Sequence, residues 1–329
     1  MSQNAGANSF QARLISVGIV GIDIIYSHTN NWYHADFARR LHADLPADLR
    51  ATARLRNAVE WLADEPRDQA VIVNWEEVVR EPQLGARVSQ LRARLAAVSR
   101  RILLSAECVG TEWFDKQFAE GVPWTELIEV GWFGYPLPEA RRDIPYHVLG
   151  TVATRAELDD FARRRAALSA DGGAAGRPIP WALVGMRTPA RIAFAQELVR
   201  WQPGGFLLLT EAGPARPGSG RLTKDALERL LERARLYIWR AQHPFPYFET
   251  FRVHDALRCG ALPVKIDPDH AACFAAAPCV FPSLGALTEA LETQGWAALL
   301  AATYEAALAR PSIGEALAAI LAGSASPSS

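Results

Sequence analysis

Glu249 and Arg252 stand three residues apart in the segment 245–267, FPYFETFRVHDALRCGALPVKID. On a helix that spacing turns a carboxylate and a guanidinium to one side, and the free N–H groups of the first turn add partial positive charge there. Such a set suits an anionic phosphate group and a ribose or sugar hydroxyl pair. The helix is expected over residues 249–258, stopped by Gly260 and followed by a buried strand over 261–266, one half of an α/β crossover. His243 and His254 bracket it. Either could touch phosphate, although His254 falls on a different side from Glu249 by helical angle.

The run Glu-x-Phe-Arg-x-x-Asp-Ala-Leu-x-x-Gly-Ala-x-Pro-Val, beginning at Glu249, resembles the donor-side signature of the GT-B glycosyltransferases in its exostosin-like and fucosyltransferase-like variants. The matching residues are Glu249, Arg252, Asp255, Ala256, Gly260, Pro263 and Val264. The resemblance implies two Rossmann-like, doubly wound parallel-sheet domains facing across a cleft, with a nucleotide-sugar held mainly by the second. It also gives meaning to Val184-Gly185-Met186-Arg187, since many GT-B donor domains carry a glycine and then Arg or Lys after an early strand, where backbone and side chain meet phosphate. One position departs from the pattern. Many retaining members carry a second Glu where Leu257 stands here, with Asp255 two residues early, so a retaining mechanism is not carried over.

The elements that must position these groups alternate along the chain. Strands are expected over 14–25, 69–73, 101–105, 127–130, 146–152, 181–185, 205–210, 236–239 and 261–266, with a last edge at 280–281. Helices are expected between them, one of them over 48–64, and closing helices after residue 284. This alternation argues for parallel sheets. A proline-rich break over 136–142, PLPEARR, divides an acceptor-side domain (1–140) from a donor-side domain (141–322), with a disordered tail over 323–329.

Ligands of open parallel sheets bind beyond the carboxyl ends of the strands. In the first domain those positions hold His28, Thr29, Asn30, Asn74, Glu76, Glu107, Trp132 and Tyr135. Histidine, asparagine and aromatic side chains suit polyol recognition, with Thr29, Asn30, Trp132 and Tyr135 as acceptor-binding candidates. His28 and Glu107 compete as the general base that takes a proton from an acceptor hydroxyl. In the second domain the corresponding positions include Gly150, Gly185, Arg187, His243 and Glu249, suited to a diphosphate.

Composition narrows the classes. The chain of 329 residues is half hydrophobic, with 35 basic against 36 acidic residues, so it builds real cores and offers no reason to expect nucleic acid. Its four cysteines form no Cys-x-x-Cys pair and have no histidine at zinc spacing. GIVGID at 18–23 lacks the third glycine of a dinucleotide fingerprint, and GPARPGSG at 213–220 lacks the Gly-Lys of a P-loop. Asp267-Pro268-Asp269 spells a two-aspartate metal pattern but reads better as a turn, so no metal is expected. The start has no basic segment with an apolar block, and no apolar run approaches the ~20 residues that span a bilayer. A soluble cytoplasmic protein without an integral membrane segment is expected. The resulting expectation is a metal-independent glycosyltransferase using a nucleotide-sugar donor and a hydroxyl acceptor, with no cofactor. The rival is a non-catalytic nucleotide- or sugar-binding accessory protein on the same frame.

Overall fold

Strands that are apolar along their whole length need cover on both faces, and the chain provides it twice. The computed structural model describes residues 21–28, 31–168, 176–211, 220–241 and 243–323. It is α/β, with two sheets in which every strand pairing is parallel. The first lobe runs through β1 (Ile22–Tyr26), α1 (Trp32–Asp44), α2 (Ala47–Thr52), β2 (Ala53–Asn57), α3 (Ala58–Trp61), β3 (Gln69–Val73) and α4 (Trp75–Val79). It continues with α5 (Val88–Ala96), β4 (Arg100–Ser105), α6 (Glu112–Lys116), β5 (Glu126–Glu129) and β6 (Tyr146–Val148), in the order β2-β1-β3-β4-β5-β6. The second half begins with α7 (Arg155–Ala167), β7 (Ile179–Met186), α8 (Pro189–Trp201), β8 (Phe206–Thr210), α9 (Lys224–Arg233) and β9 (Ala234–Arg240). Then follow α10 (Thr250–Arg258), β10 (Leu262–Ile266), β11 (Val280–Phe281), α11 (Leu284–Thr293), α12 (Trp296–Leu308) and α13 (Ile313–Leu321), with sheet order β11-β10-β9-β7-β8.

The same winding occurs in both sheets. The strand that comes first in sequence lies between the second and the third, so the crossovers leave in opposite directions and open a crevice at the carboxyl ends. That crevice lies between β1 and β3 in the first sheet and between β7 and β9 in the second.

Alternation along the first sheet feeds two cores. Val71, Val73, Ile102 and Leu104 pack on one face with Phe37 and Leu41 of α1, while Ile72 and Leu103 pack on the other with Trp61, Trp75 and Leu91. α13 completes the first of these cores, with Ile313, Leu317 and Ile320 buried in it. The second sheet has a core of its own around Trp181, Phe194, Trp239 and Tyr304.

Two segments differ from expectation. Residues 48–64 form α2, the edge strand β2 and α3 rather than one helix. Alanine, arginine and leucine favour helices, but the open edge of β1 takes this segment as a partner, in register from Ile22↔Ala53 to Tyr26↔Asn57. There Arg54 grips the fully buried Asp23 through Nε (2.8 Å) and Nη2 (3.0 Å), and Asn57 restarts a helix through a capping box with Glu60. β6 pairs with β5, so the first sheet extends past residue 140. The strand expected over 14–25 lies partly outside the described residues, and β1 runs to Tyr26.

Candidate functional site

Loops from the carboxyl ends of both sheets meet. Tyr247 Oη donates to the Ala106 carbonyl (3.4 Å), and the Trp132 N–H donates to Thr250 Oγ1 (3.0 Å). Phe251 rests edge-on against Phe37 of α1 at 5.5 Å and beside Tyr33 at 6.4 Å. The opening turn of α10 is thus largely occupied by packing against the first lobe.

Arg252 leaves that turn in the other direction. Its Nη1 donates to the Val184 carbonyl (2.8 Å) and to Tyr237 Oη (2.6 Å). Arg191, in the first turn of α8 behind the Thr188 cap, joins it with Nη1 on the Met186 carbonyl at 3.0 Å. Gly185 lies between the two heads: a Cβ there would stand 3.0 Å from Arg191 Nη1 and 3.3 Å from Arg252 Nη2. Arg191 is 4% exposed, and its Nε has no hydrogen-bond partner. Neither arginine forms an ion pair among the described residues. Burial, followed by the neighbouring Arg252 charge, pushes the Arg191 pKa down to about 10. Glu249 offsets this in part from beyond ion-pair distance, and two adjacent guanidiniums with no carboxylate in direct contact are costly to bury and suit one bidentate oxyanion.

The first lobe answers with carboxylates. Asn74, at the end of β3, takes a left-handed conformation (φ 57°), the sole positive φ outside glycine among the described residues. Its Nδ2 donates to Glu107 Oε1 (3.2 Å) and lies 3.2 Å from His34 Nε2. Burial pushes the His34 pKa down to about 3, so the neutral ring accepts at Nε2. Glu77, 5% exposed in α4, accepts from Asn31 Nδ2 across the β1–β3 crevice. Burial and then the adjacent Glu76 push its pKa up to about 7, with Glu107 adding to the rise. Burial also raises the Glu107 carboxyl. On α1, the phenol of Tyr33 is raised by burial and by Glu107 and Glu77, with Arg221 of the second lobe acting in the opposite sense.

The residues singled out from sequence fall in several places. Gly185 and Arg252 come together, while Arg187 points outward, 59% exposed and 3.5 Å from Glu211. Glu249 is 3.5 Å from Lys265, a buried lysine that also lies 3.0 Å from Asp267. Asp267 further accepts from the His270 N–H at 3.0 Å, the geometry of a turn. His243 stacks on Phe245 at 5.1 Å, and burial lowers its pKa. The Gly150 carbonyl is held by Arg310 Nη1 (2.9 Å), which also takes the Trp132 carbonyl (3.0 Å). Trp132 stacks on Phe248 at 5.3 Å, and the Tyr135 hydroxyl accepts from the Phe248 N–H at 2.7 Å, so both serve the junction of the lobes. His28 is exposed, with its N–H on Glu81 Oε2 at 2.8 Å. Thr29 and Asn30 lie outside the described residues.

Arg191 and Glu77 were not singled out from sequence. Both lie one short step past the strand ends, Arg191 a helical turn beyond Arg187, where only the strand order shows that they flank a crevice. Among the described residues no cluster of three or more His, Cys, Asp or Glu side chains could hold a metal, and no helix is long and apolar enough to cross a membrane. Compared with protein-family models, curated proteins and solved structures, the chain matches none.

Proposed function

We propose that the protein is a glycosyltransferase that moves a sugar from a nucleotide-activated donor to an acceptor hydroxyl. One observation carries this reading: Arg191 and Arg252 flank Gly185 at the carboxyl end of β7, and among the described residues no carboxylate lies within ion-pair distance of either, Glu249 acting on Arg191 only from farther away. A nucleoside diphosphate supplies the missing negative charge. As the bond to the sugar breaks, charge grows on the diphosphate, and guanidiniums already aimed at it stabilise that change. The reaction so drawn takes this charge from arginine and calls on no metal. The acidic wall of the first lobe, with Glu107 and Glu77, supports an acceptor hydroxyl rather than a second anion.

Titration calorimetry against a panel of nucleoside diphosphates in magnesium-free buffer tests the reading. Binding is expected, and Arg252→Ala is expected to weaken it at least about tenfold, the loss of one charge-assisted hydrogen bond. Absence of binding to every diphosphate would overturn it. A second reading, a non-catalytic binding protein, draws on the engagement of Trp132 and Tyr135 in the lobe junction. Release of free sugar from a bound nucleotide-sugar separates the two.

A further inference from the structure

We propose that Glu77, rather than His28 or Glu107, takes the proton from the acceptor hydroxyl, and that transfer therefore inverts the sugar's anomeric centre. This inference rests on the transferase reading and assigns the chemistry of its acceptor side.

Three placements carry it. Glu77 lies just past the end of β3, so it borders the β1–β3 crevice where a ligand of the first sheet belongs. Its carboxylate is held from the opposite wall of that crevice by Asn31 Nδ2, which fixes one oxygen and so the orientation of the group. Tyr33, two residues beyond Asn31, has its ring 6.4 Å from that of Phe251, the residue before Arg252, so the segment that anchors Glu77 reaches the turn from which Arg252 leaves toward the anion seat. Glu107 is tied to Asn74 and lies 4.0 Å from His34, and the exposed His28 is anchored through its backbone.

The charged and titratable groups around Glu77 include Glu76 and Arg80 on its own helix, Glu107 beyond the end of β4, and Tyr33 on α1. Burial and the two neighbouring carboxylates outweigh Arg80 and the Asn31 hydrogen bond, which keeps its pKa near the pH at which a general base works best. In the step, the acceptor O–H bond breaks and its proton passes to the Glu77 carboxylate. The oxygen lone pair forms the new bond to the anomeric carbon. The bond from that carbon to the diphosphate breaks, and its electron pair leaves on the diphosphate oxygen held by Arg191 and Arg252. Attack from the side opposite the leaving group inverts the centre.

The test uses the full chain with UDP-glucose, UDP-N-acetylglucosamine, GDP-mannose and GDP-fucose, water serving as acceptor. Magnetic resonance reads both the rate and the anomeric form of the first sugar released. Glu77→Gln keeps an oxygen for Asn31 and is expected to bind UDP or GDP as the wild type does, while turnover falls by about 10²–10⁴-fold. The wild-type kcat is expected to rise with pH through about 7, and Glu77→Gln to lose that rise. Asn31→Ala removes a hydrogen bond that favours the charged carboxylate, so it is expected to move the rise to higher pH. Turnover in Glu77→Gln within threefold of wild type, a retained anomeric form, or an unmoved pH profile in Asn31→Ala would each overturn the proposal while leaving diphosphate binding in place. Failure of the wild type to bind any of these nucleotides would remove the transferase reading and this inference with it.

Discussion

Arg191 carries a full charge into a place that is 4% exposed, with Arg252 as its neighbour. A site of this kind is costly in the empty protein and is offset when an anion arrives. Arg191→Met keeps much of the side-chain volume and removes the charge. Its ligand-free form is expected to be more stable than wild type by about 1–3 kcal/mol, the scale of a pKa depressed by a few units, while stabilisation by added UDP disappears. Paired thermal melts with and without UDP check both halves of this statement. The same pair shows what a single chain of letters conveys. Gly185 and Arg252 were legible because strand–Gly and helix–Arg patterns are local. Arg187 and Arg191 are four apart, and the direction of the Thr188 cap decides which one turns back toward Gly185. That direction is a property of the helix as packed on its sheet, and no spacing rule states it.

At the scale of elements, α1 ties the halves together along one stripe. Asp36, Arg40 and Asp44 recur every four residues. They reach Lys224 of α9 (2.6 Å), Glu157 of α7 (3.0 Å) and the Arg155 N–H at the start of α7 (2.7 Å). Glu157 also pairs with His254 (3.1 Å) and Arg258 (3.3 Å) on α10. Burial raises its carboxyl, but His254 and Arg40, with the Thr154 N–H, outweigh that and hold it well below the usual carboxylate range. A depressed folded-state value means stability that is present above the unfolded value of 4.5 and lost as pH falls below it. Glu157→Gln is expected to cost about 3 kcal/mol at pH 7, and the difference from wild type is expected to shrink as pH falls below 4.5. Chemical denaturation across that range measures it. Most helices and strands here were legible from the alternation of apolar runs with polar stretches, and in the structure Thr154, Thr188 and Thr223 cap three of the helices. β2 was not. Its sequence ARLRN favours a helix, and only an unpaired neighbour with a buried aspartate makes it a strand.

For the molecule as a whole, the two sheets are built to one winding, and the halves are joined through more than one segment. The chain crosses over once after β6, and α13 then returns to the first lobe. Gly314 permits that return: a Cβ there would stand 1.9 Å from the Asp44 carbonyl oxygen, and its N–H donates to Asp44 Oδ2 at 2.8 Å. Gly314→Ala must therefore push two backbones apart. A loss of about 2–3 kcal/mol is expected, concentrated in the first lobe, and hydrogen exchange is expected to show β1 and β3 losing protection before β9 and β10 do. The proline-rich break places a division at residue 140, but β6 beyond it still pairs into the first sheet and α13 returns to the first lobe's core, and neither was legible. A helix of small and apolar residues such as IGEALAAIL does not state which core it will enter.

Arg100, at the start of β4, takes the carbonyls of Ile320 and Leu321 through its guanidinium (3.4 and 2.8 Å), clasping the end of that returning helix. On the ribosome this contact and the apolar layer above it have to wait. β1 to β5 leave the exit tunnel with one side of their sheet covered by α1 alone, and remain so while about 180 further residues are made, from the end of β5 at Glu129 to the start of α13 at Ile313. The first lobe, made before the second, is thus finished after it, and the part of its apolar face that α1 leaves open needs shelter, from a chaperone or from the lobe still emerging, until α13 arrives.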